Sequence, residues 1–454
     1  MVLKRQHGLF VSICFVVGFI VGTGIFFLPG RVLYEVGGST FYGTIAWIIG
    51  GLMISPIVLM FGIMAAKYEK IHGFVDYSEA LVGKKYGYLA GWFFAVMYQP
   101  AGYAIIAWIT SGFTANLVGI SSGSNEYFAF RFFIAAFFMV MTFMMNYFAP
   151  AVPVKFNVAT TIARLIPLVA MGTIGVVVGV FFADAGEIAV TYEITGGTSL
   201  FAAISATAFA FNGWQAALAF NSEIKDSKRK FPIALLGGFG IVAIVYVLYF
   251  VGIATALGEN IGIIMSGGGE NFADGTRLAF ENVFGAWAAR LLVFFMIISG
   301  LGILNACCLG MSRAMYSLGR RELGPLSRRT VLLDADTIVP NNSMVMAVGI
   351  SFLWFAVIFA NIFVFQNFAF SLPDFYNFSF FALLIPIFVC YALKSKESSF
   401  FSRFILPSLA ICGAVFMFVS YWLGSLTHAV VYVSVFAALG LVGMVFMGGN
   451  SCET

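Results

Sequence analysis

Ile20-Val21-Gly22-Thr23-Gly24-Ile25-Phe26-Phe27-Leu28-Pro29 lies inside the first long apolar segment, about residues 9–33. Two glycines bracket a threonine, and a proline closes the run. A span that only had to cross lipid is better built from Leu, Ile and Val, because Gly costs about 1 kcal/mol against Ala inside a helix. Each backbone group left unpaired in hydrocarbon costs several kcal/mol more. Two readings compete. Either the helix breaks here and its freed N–H and C=O groups hold a polar ligand, or the glycines let a second helix approach closely.

The rest of the chain sets the context. Of 454 residues, 61% are hydrophobic and 10% charged, which excludes an ordinary soluble domain. Apolar runs of about 20 residues recur, each long enough for a hydrocarbon core of about 30 Å. The expected fold is an all-α polytopic membrane protein of twelve spans, at about 9–33, 41–66, 89–118, 128–148, 154–182, 198–222, 232–257, 285–318, 342–361, 375–393, 403–424 and 426–447. The first segment reads as a span rather than a cleavable signal, because its apolar stretch is too long. The six cysteines (Cys14, Cys307, Cys308, Cys390, Cys412, Cys452) show no paired spacing, and His7, His72 and His428 make no metal-ligand motif. No metal, cofactor or nucleic-acid partner is expected. No buried carboxylate pair or His/Cys/Asp set marks an enzyme.

The positive residues test the span count. Of the 24 Lys and Arg, Arg31, Arg131, Arg277 and Arg290 fall at one set of ends, Arg164 falls inside a span, and the rest fall at the other set. By the positive-inside rule this asymmetry places both termini in the cytoplasm; the expected location is the plasma (cell inner) membrane. The loop at about residues 67–88 mixes charges and aromatics and reads as an amphipathic segment on the inner leaflet.

A second discontinuity lies in span six, at Phe209-Ala-Phe-Asn212-Gly213-Trp214-Gln215. Polar groups at mid-membrane depth are costly unless they face a cavity or a partner. Span six opens the second group of five spans as span one opens the first, and an odd number per group inverts the second. Paired breaks in inverted repeats point to a transporter binding site, which favours the broken-helix reading of Gly22-Thr23-Gly24. The expected units are residues 1–193 (spans one to five), 194–395 (six to ten) and 396–454 (two peripheral spans and the tail). The helix N-terminus after the first break suits a carboxylate, and the carbonyls before each break suit an ammonium. A ligand with both charges on one carbon is an α-amino acid.

The motifs then resemble a known family. Gly22-Thr-Gly-Ile-Phe26, Phe209-Ala-Phe-Asn-Gly-Trp214 with Glu223-Ile-Lys-Asp-Ser-Lys-Arg229-Lys-Phe-Pro232, and Ser312-Arg-Ala-Met-Tyr-Ser-Leu-Gly-Arg320 are similar to motifs of the amino acid–polyamine–organocation superfamily, nearest its L-type amino acid transporter branch. The resemblance implies a LeuT-like five-plus-five inverted repeat with spans one and six discontinuous. It implies that the substrate carboxylate meets backbone at Gly22, Thr23 and Gly24, helped by the Thr23 hydroxyl. The α-amino group would meet carbonyls near Ile20, Val21 and Phe209. Phe209 would gate the site, and Asn212 and Gln215 would border the side-chain pocket. Tyr98 and Tyr103 either line the site or pack. Glu223, Lys225 and Arg229 would form exit ion pairs with the Arg313 or Arg320 region, or are ordinary loop charges.

Arg164, in Thr161-Ile-Ala-Arg-Leu-Ile-Pro167, matches a position where many relatives carry Lys, and there the cation stands in for a sodium ion, bridging span five to spans one and eight. The competing reading, snorkelling to an interface, fits poorly with a position roughly 14 Å from the span's end. Arg holds its proton, so the implied activity is sodium-independent exchange or uniport of neutral amino acids by alternating access. Lack of an acidic residue near either break argues against cationic substrates. A proton- or sodium-coupled symporter is the alternative, and a membrane receptor or channel the alternative of another class. The loop at about residues 119–127 has no Cys, so no disulfide-linked partner is expected.

Overall fold

Backbone in hydrocarbon has to satisfy its own N–H and C=O groups, and the described chain does so almost entirely with helices. The computed structural model describes residues 8–68, 73–120, 125–149, 152–181, 199–218, 224, 226–258, 272–332, 340–364, 370–397, 399–424 and 426–448. In order these form α1 (Leu9–Ile20), α2 (Gly24–Glu35), α3 (Thr40–Lys67), α4 (Phe74–Leu81) and α5 (Lys84–Trp92). A π turn, Phe93–Tyr98, leads from α5 into α6 (Gln99–Val118). Next come α7 (Asn125–Phe148), α8 (Val152–Ala170), a second π turn (Met171–Gly175), α9 (Val176–Phe181), α10 (Leu200–Ala210) and α11 (Trp214–Ala217). The remainder is α12 (Ser227–Leu257), α13 (Phe272–Phe284), α14 (Ala286–Gly319), α15 (Ser327–Thr330), α16 (Asn341–Phe363), α17 (Leu372–Lys394), α18 (Leu406–Gly424) and α19 (Leu426–Gly448).

Among the described residues, 10 helices are long and apolar enough to cross a membrane, and α1 with α2, bent by 52°, make an eleventh span. The expected sixth span is present as α10 and α11 on either side of residues 211–213. Beyond Leu218 its course lies outside the described residues, as do Glu223, Lys225 and the expected repeat boundary at 193/194.

Helix contacts come in matched couples. The second span packs on the seventh (α3 on α12) and the third on the eighth (α6 on α14). The contact of α1 with α12 is mirrored by that of α10 with α3, and α6–α7 by α14–α16. A five-plus-five repeat generates this pattern. Small residues permit the close approaches: a Cβ on Gly50 of α3 would meet Thr207 Oγ1 at 2.0 Å, and one on Gly300 of α14 would meet Thr110 Oγ1 at 2.0 Å.

Prolines inside spans free carbonyls, and neighbours take them up. Pro100 leaves the Val96 carbonyl without its helical donor, and Trp354 Nε1 donates to it at 2.8 Å. Pro56 does the same to Leu52, whose carbonyl accepts from Ser55 Oγ at 3.1 Å.

At the face rich in positive residues the structure differs from the expectation in two ways. The segment expected on the leaflet surface instead buries Phe74, Val75, Asp76, Tyr77, Ser78 and Leu81 in the bundle as α4. Buried Asp76 then needs a cation, and Arg321 beyond α14 supplies it: Nη2 reaches Asp76 Oδ1 at 2.5 Å and Nε reaches Glu79 Oε2 at 3.3 Å. The described ion pairs here therefore join α4 to the end of the eighth span. Of the two final helices, α18 docks on α3, where a Cβ on Gly413 would meet the Met53 carbonyl at 2.2 Å, and α19 is the more exposed.

Candidate functional site

The first break begins where Val21 leaves helical geometry (φ −67°, ψ 103°) while its N–H still donates to the Val17 carbonyl at 2.9 Å. The helix resumes at Gly24, and the Phe26 N–H donates to the Thr23 carbonyl at 3.1 Å. Thr23 occupies the capping position of α2, yet its side chain caps nothing, and its buried Oγ1 has no hydrogen-bond partner. A buried hydroxyl without a partner costs about 1–3 kcal/mol. Such a group beside the positive end of a helix is placed for an anionic ligand.

The carbonyls before this break are gripped from two other spans. Arg164 of α8, fully buried, donates from Nη2 to the Gly18 carbonyl and to Thr161 Oγ1, both at 2.5 Å. Tyr246 of α12 donates to the Ile20 carbonyl at 3.2 Å. Arg164 thus reaches span one by hydrogen bond.

The second break turns on Gly213, whose φ of +106° is strained for any residue with a Cβ. A Cβ there would also meet the Phe19 carbonyl oxygen at 2.1 Å and Ile20 Cα at 3.2 Å. The two breaks therefore touch backbone to backbone. Gln215 braces the turn: its Oε1 accepts from the Gly213 N–H at 2.8 Å, and its Nε2 donates to Asn212 Oδ1 at 3.2 Å. Asn212 Nδ2 in turn donates to Asn377 Oδ1 of α17. The chain of amides ties the unwound part of span six to span ten.

Between the breaks lies a cavity of about 100 Å³. Ile20, Gly22, Thr23, Gly24, Tyr98, Arg164, Phe209, Asn212 and Gln215 all line it. Val21 is fully buried and does not line it. Tyr103 faces span four, its hydroxyl donating to the Met139 carbonyl at 2.6 Å, so it packs. Gln99, Tyr376 and Cys307 also line the cavity and were not anticipated. Gln99 had a signal, a polar amide in mid-span beside Tyr98 and Pro100. Tyr376 had none, as one aromatic among many in its span.

Aromatic rings close one end. Tyr98 and Tyr376 stack at 4.1 Å, Phe209 meets Tyr376 edge-on at 6.4 Å, and Phe27 lies 6.1 Å from Phe209. Beyond Phe209 a second cavity of about 300 Å³ opens, lined by Arg31, Trp108, Arg131 and Asp374 among others. Arg31 Nη1 stands 3.9 Å from Asp374 Oδ1 across its mouth. At the other end Phe61, Phe74, Trp214 and Phe380 pack together, with Phe61 and Trp214 at 5.1 Å, above the Arg321 ion pairs.

The sequence profile of a family described as amino acid permease matches residues 8–447. The serine/threonine exchanger SteT of Bacillus subtilis is 28% identical over 327 residues, which are 72% of this chain and 71% of that protein. The glutamate/serine transporter AimA of the same organism is 25% identical over 71% of this chain and 60% of its own length. The b(0,+)-type amino acid transporter 1 of Mus musculus is 23% identical over 70% of this chain and 63% of its own.

Proposed function

Because this chain belongs to the amino acid permease family, we propose that it carries small neutral amino acids across the plasma membrane by alternating access, exchanging one for another without sodium. The observation that carries this reading is the meeting of two helix breaks at one small cavity, with the unpartnered Thr23 hydroxyl at the start of α2. The substrate carboxylate lies against Gly22, Thr23 and Gly24, where the helix dipole favours negative charge. The ammonium takes carbonyls around Ile20 and Phe209, with Val21 outside the cavity wall. Arg164 is a fixed cation that holds α1 in place through Gly18, the task a sodium ion would otherwise perform. A positive charge on the substrate's side chain finds no carboxylate among the residues that line the cavity, which supports substrates without a basic side chain.

Phe209 with Tyr98 and Tyr376 closes the extracellular side. Phe61, Trp214 and the Arg321 pairs close the cytoplasmic side, with both termini in the cytoplasm. Residues 1–193 and 194–395 act as the two inverted repeats, and 396–454 sit outside the moving core. Similarity to an exchanger supports exchange over uniport. The test is a counterflow panel of labelled amino acids in proteoliposomes, with and without sodium and a pH gradient. Exchange of neutral amino acids in sodium-free buffer is expected. Strict dependence on sodium or on the proton gradient overturns the role given to Arg164.

A further inference from the structure

The polar side chains around the cavity differ in what they already bond, and buried Arg164 Nε and Nη1 and Tyr98 Oη have no partner. Arg164 is held by Gly18 and Thr161, Gln215 by Gly213 and Asn212, and Asn212 by Asn377. Thr23 sits at the start of α2, where the carboxylate is placed. Gln99 is different. It is half-buried and lines the cavity, and no hydrogen bond joins its side chain to another described residue. Its amide lies over the bare backbone of Gly310 on α14, where a Cβ would stand 3.2 Å from Nε2. Gly102 and Ile106, three and seven residues further along α6, line the same cavity, so Gln99 belongs to the face of that helix turned toward the ligand. Apolar Ile303 and Ile106 bound the space beside it.

We propose that Gln99 reads the substrate's side chain by hydrogen-bonding a neutral hydroxyl, so that the preferred substrates are small hydroxyl-bearing amino acids. The inference rests on the amino acid site proposed above. A carboxamide offers both a donor and an acceptor, which matches a hydroxyl in either orientation. It offers no charge, so an acidic or basic side chain finds no counter-ion there. At about 100 Å³ the cavity lies well below the roughly 300–1,000 Å³ of drug-sized sites, which confines the choice to small side chains. The two amides of span six then hold the break, and span three does the reading.

The test compares serine with alanine, which differ by the one hydroxyl, by counterflow in proteoliposomes of the purified protein. Wild type is expected to favour serine in Vmax/KM by roughly five-fold, the factor of one neutral hydrogen bond. Gln99→Met, of similar length and without the amide, is expected to bring the ratio to about one, serine exchange losing several-fold more than alanine exchange. Gln99→Glu keeps an acceptor and is expected to keep a ratio above one. An unchanged serine preference in Gln99→Met overturns the assignment, as does a proportional loss of both substrates, the signature of a merely structural residue. Equal handling of serine and alanine by wild type also overturns it while leaving the amino acid site standing. Wild-type liposomes that exchange no amino acid at all overturn the site itself, and the inference with it.

Discussion

Gly213→Ala is the most direct test of the junction between the two broken helices. A new Cβ meets the Phe19 carbonyl oxygen at 2.1 Å, more than an ångström inside ordinary contact, and the obstacle is backbone rather than a flexible side chain. The left-handed conformation itself, φ +106°, costs a residue with a Cβ about 1–2 kcal/mol. Relieving the overlap by shifting α1 costs about 1–3 kcal/mol more, the usual range for overpacking. The total is about 2–5 kcal/mol, or roughly 30- to several-thousand-fold in favour of a parted junction. Gly83→Ala supplies the control, because Gly83 also has positive φ (+136°) but nothing within 4 Å of its Cβ position. Thermal unfolding followed by tryptophan fluorescence, with counterflow on the same preparations, separates the two. Gly213→Ala is expected to lose transport and stability, whereas Gly83→Ala loses only the roughly 1–3 kcal/mol of its own backbone strain and keeps transport. Equal behaviour of the two variants would falsify the backbone contact between the breaks.

Thr23→Val keeps the shape and removes one hydroxyl; KM is expected to rise about five-fold while thermal stability rises rather than falls, because Oγ1 is buried with no partner to lose. Arg164→Ala leaves the Gly18 carbonyl without its charged donor, costing about 1.5–3 kcal/mol, and abolishes exchange, while added sodium restores none of it; a sodium-rescued variant would contradict the fixed-cation role. Arg321→Ala removes the ion pair of buried Asp76 and loosens α4, so alkylation of Cys307, which lines the cavity, is expected to quicken about ten-fold from the positively charged face only, read by mass spectrometry on oriented vesicles.

Both breaks were legible because they violate what lipid demands: glycines and amides do not belong in mid-span, and Gly22-Thr23-Gly24 and Asn212-Gly213 do. Arg164 was legible for the same reason, as a charge far from either end of its span. What one strand of text cannot carry is which neighbour each such group meets. The grip of Arg164 on Gly18, the brace from Gln215 to Gly213 and the bond from Asn212 to Asn377 depend on the crossing of separate spans. The burial of α4 was hidden for a related reason. Its mixed charges and aromatics fit a leaflet surface as well as a protein groove, and only the position of Arg321 decides between them. The described helices give eleven spans with α1 and α2 counted as one, and the course of span six past Leu218 stays beyond them.

The ring of Phe209 borders both the inner and the outer cavity. Side-chain rotamers of accessible residues change in picoseconds to nanoseconds, whereas rearrangements of whole helices take microseconds to milliseconds. If Phe209 gates the site as proposed, a half-buried ring moves many times within one turnover and does not pace it. In the proposed cycle the slow step falls to movement of the helices that the pairs Arg31–Asp374 and Arg321–Asp76 tie together at the two ends.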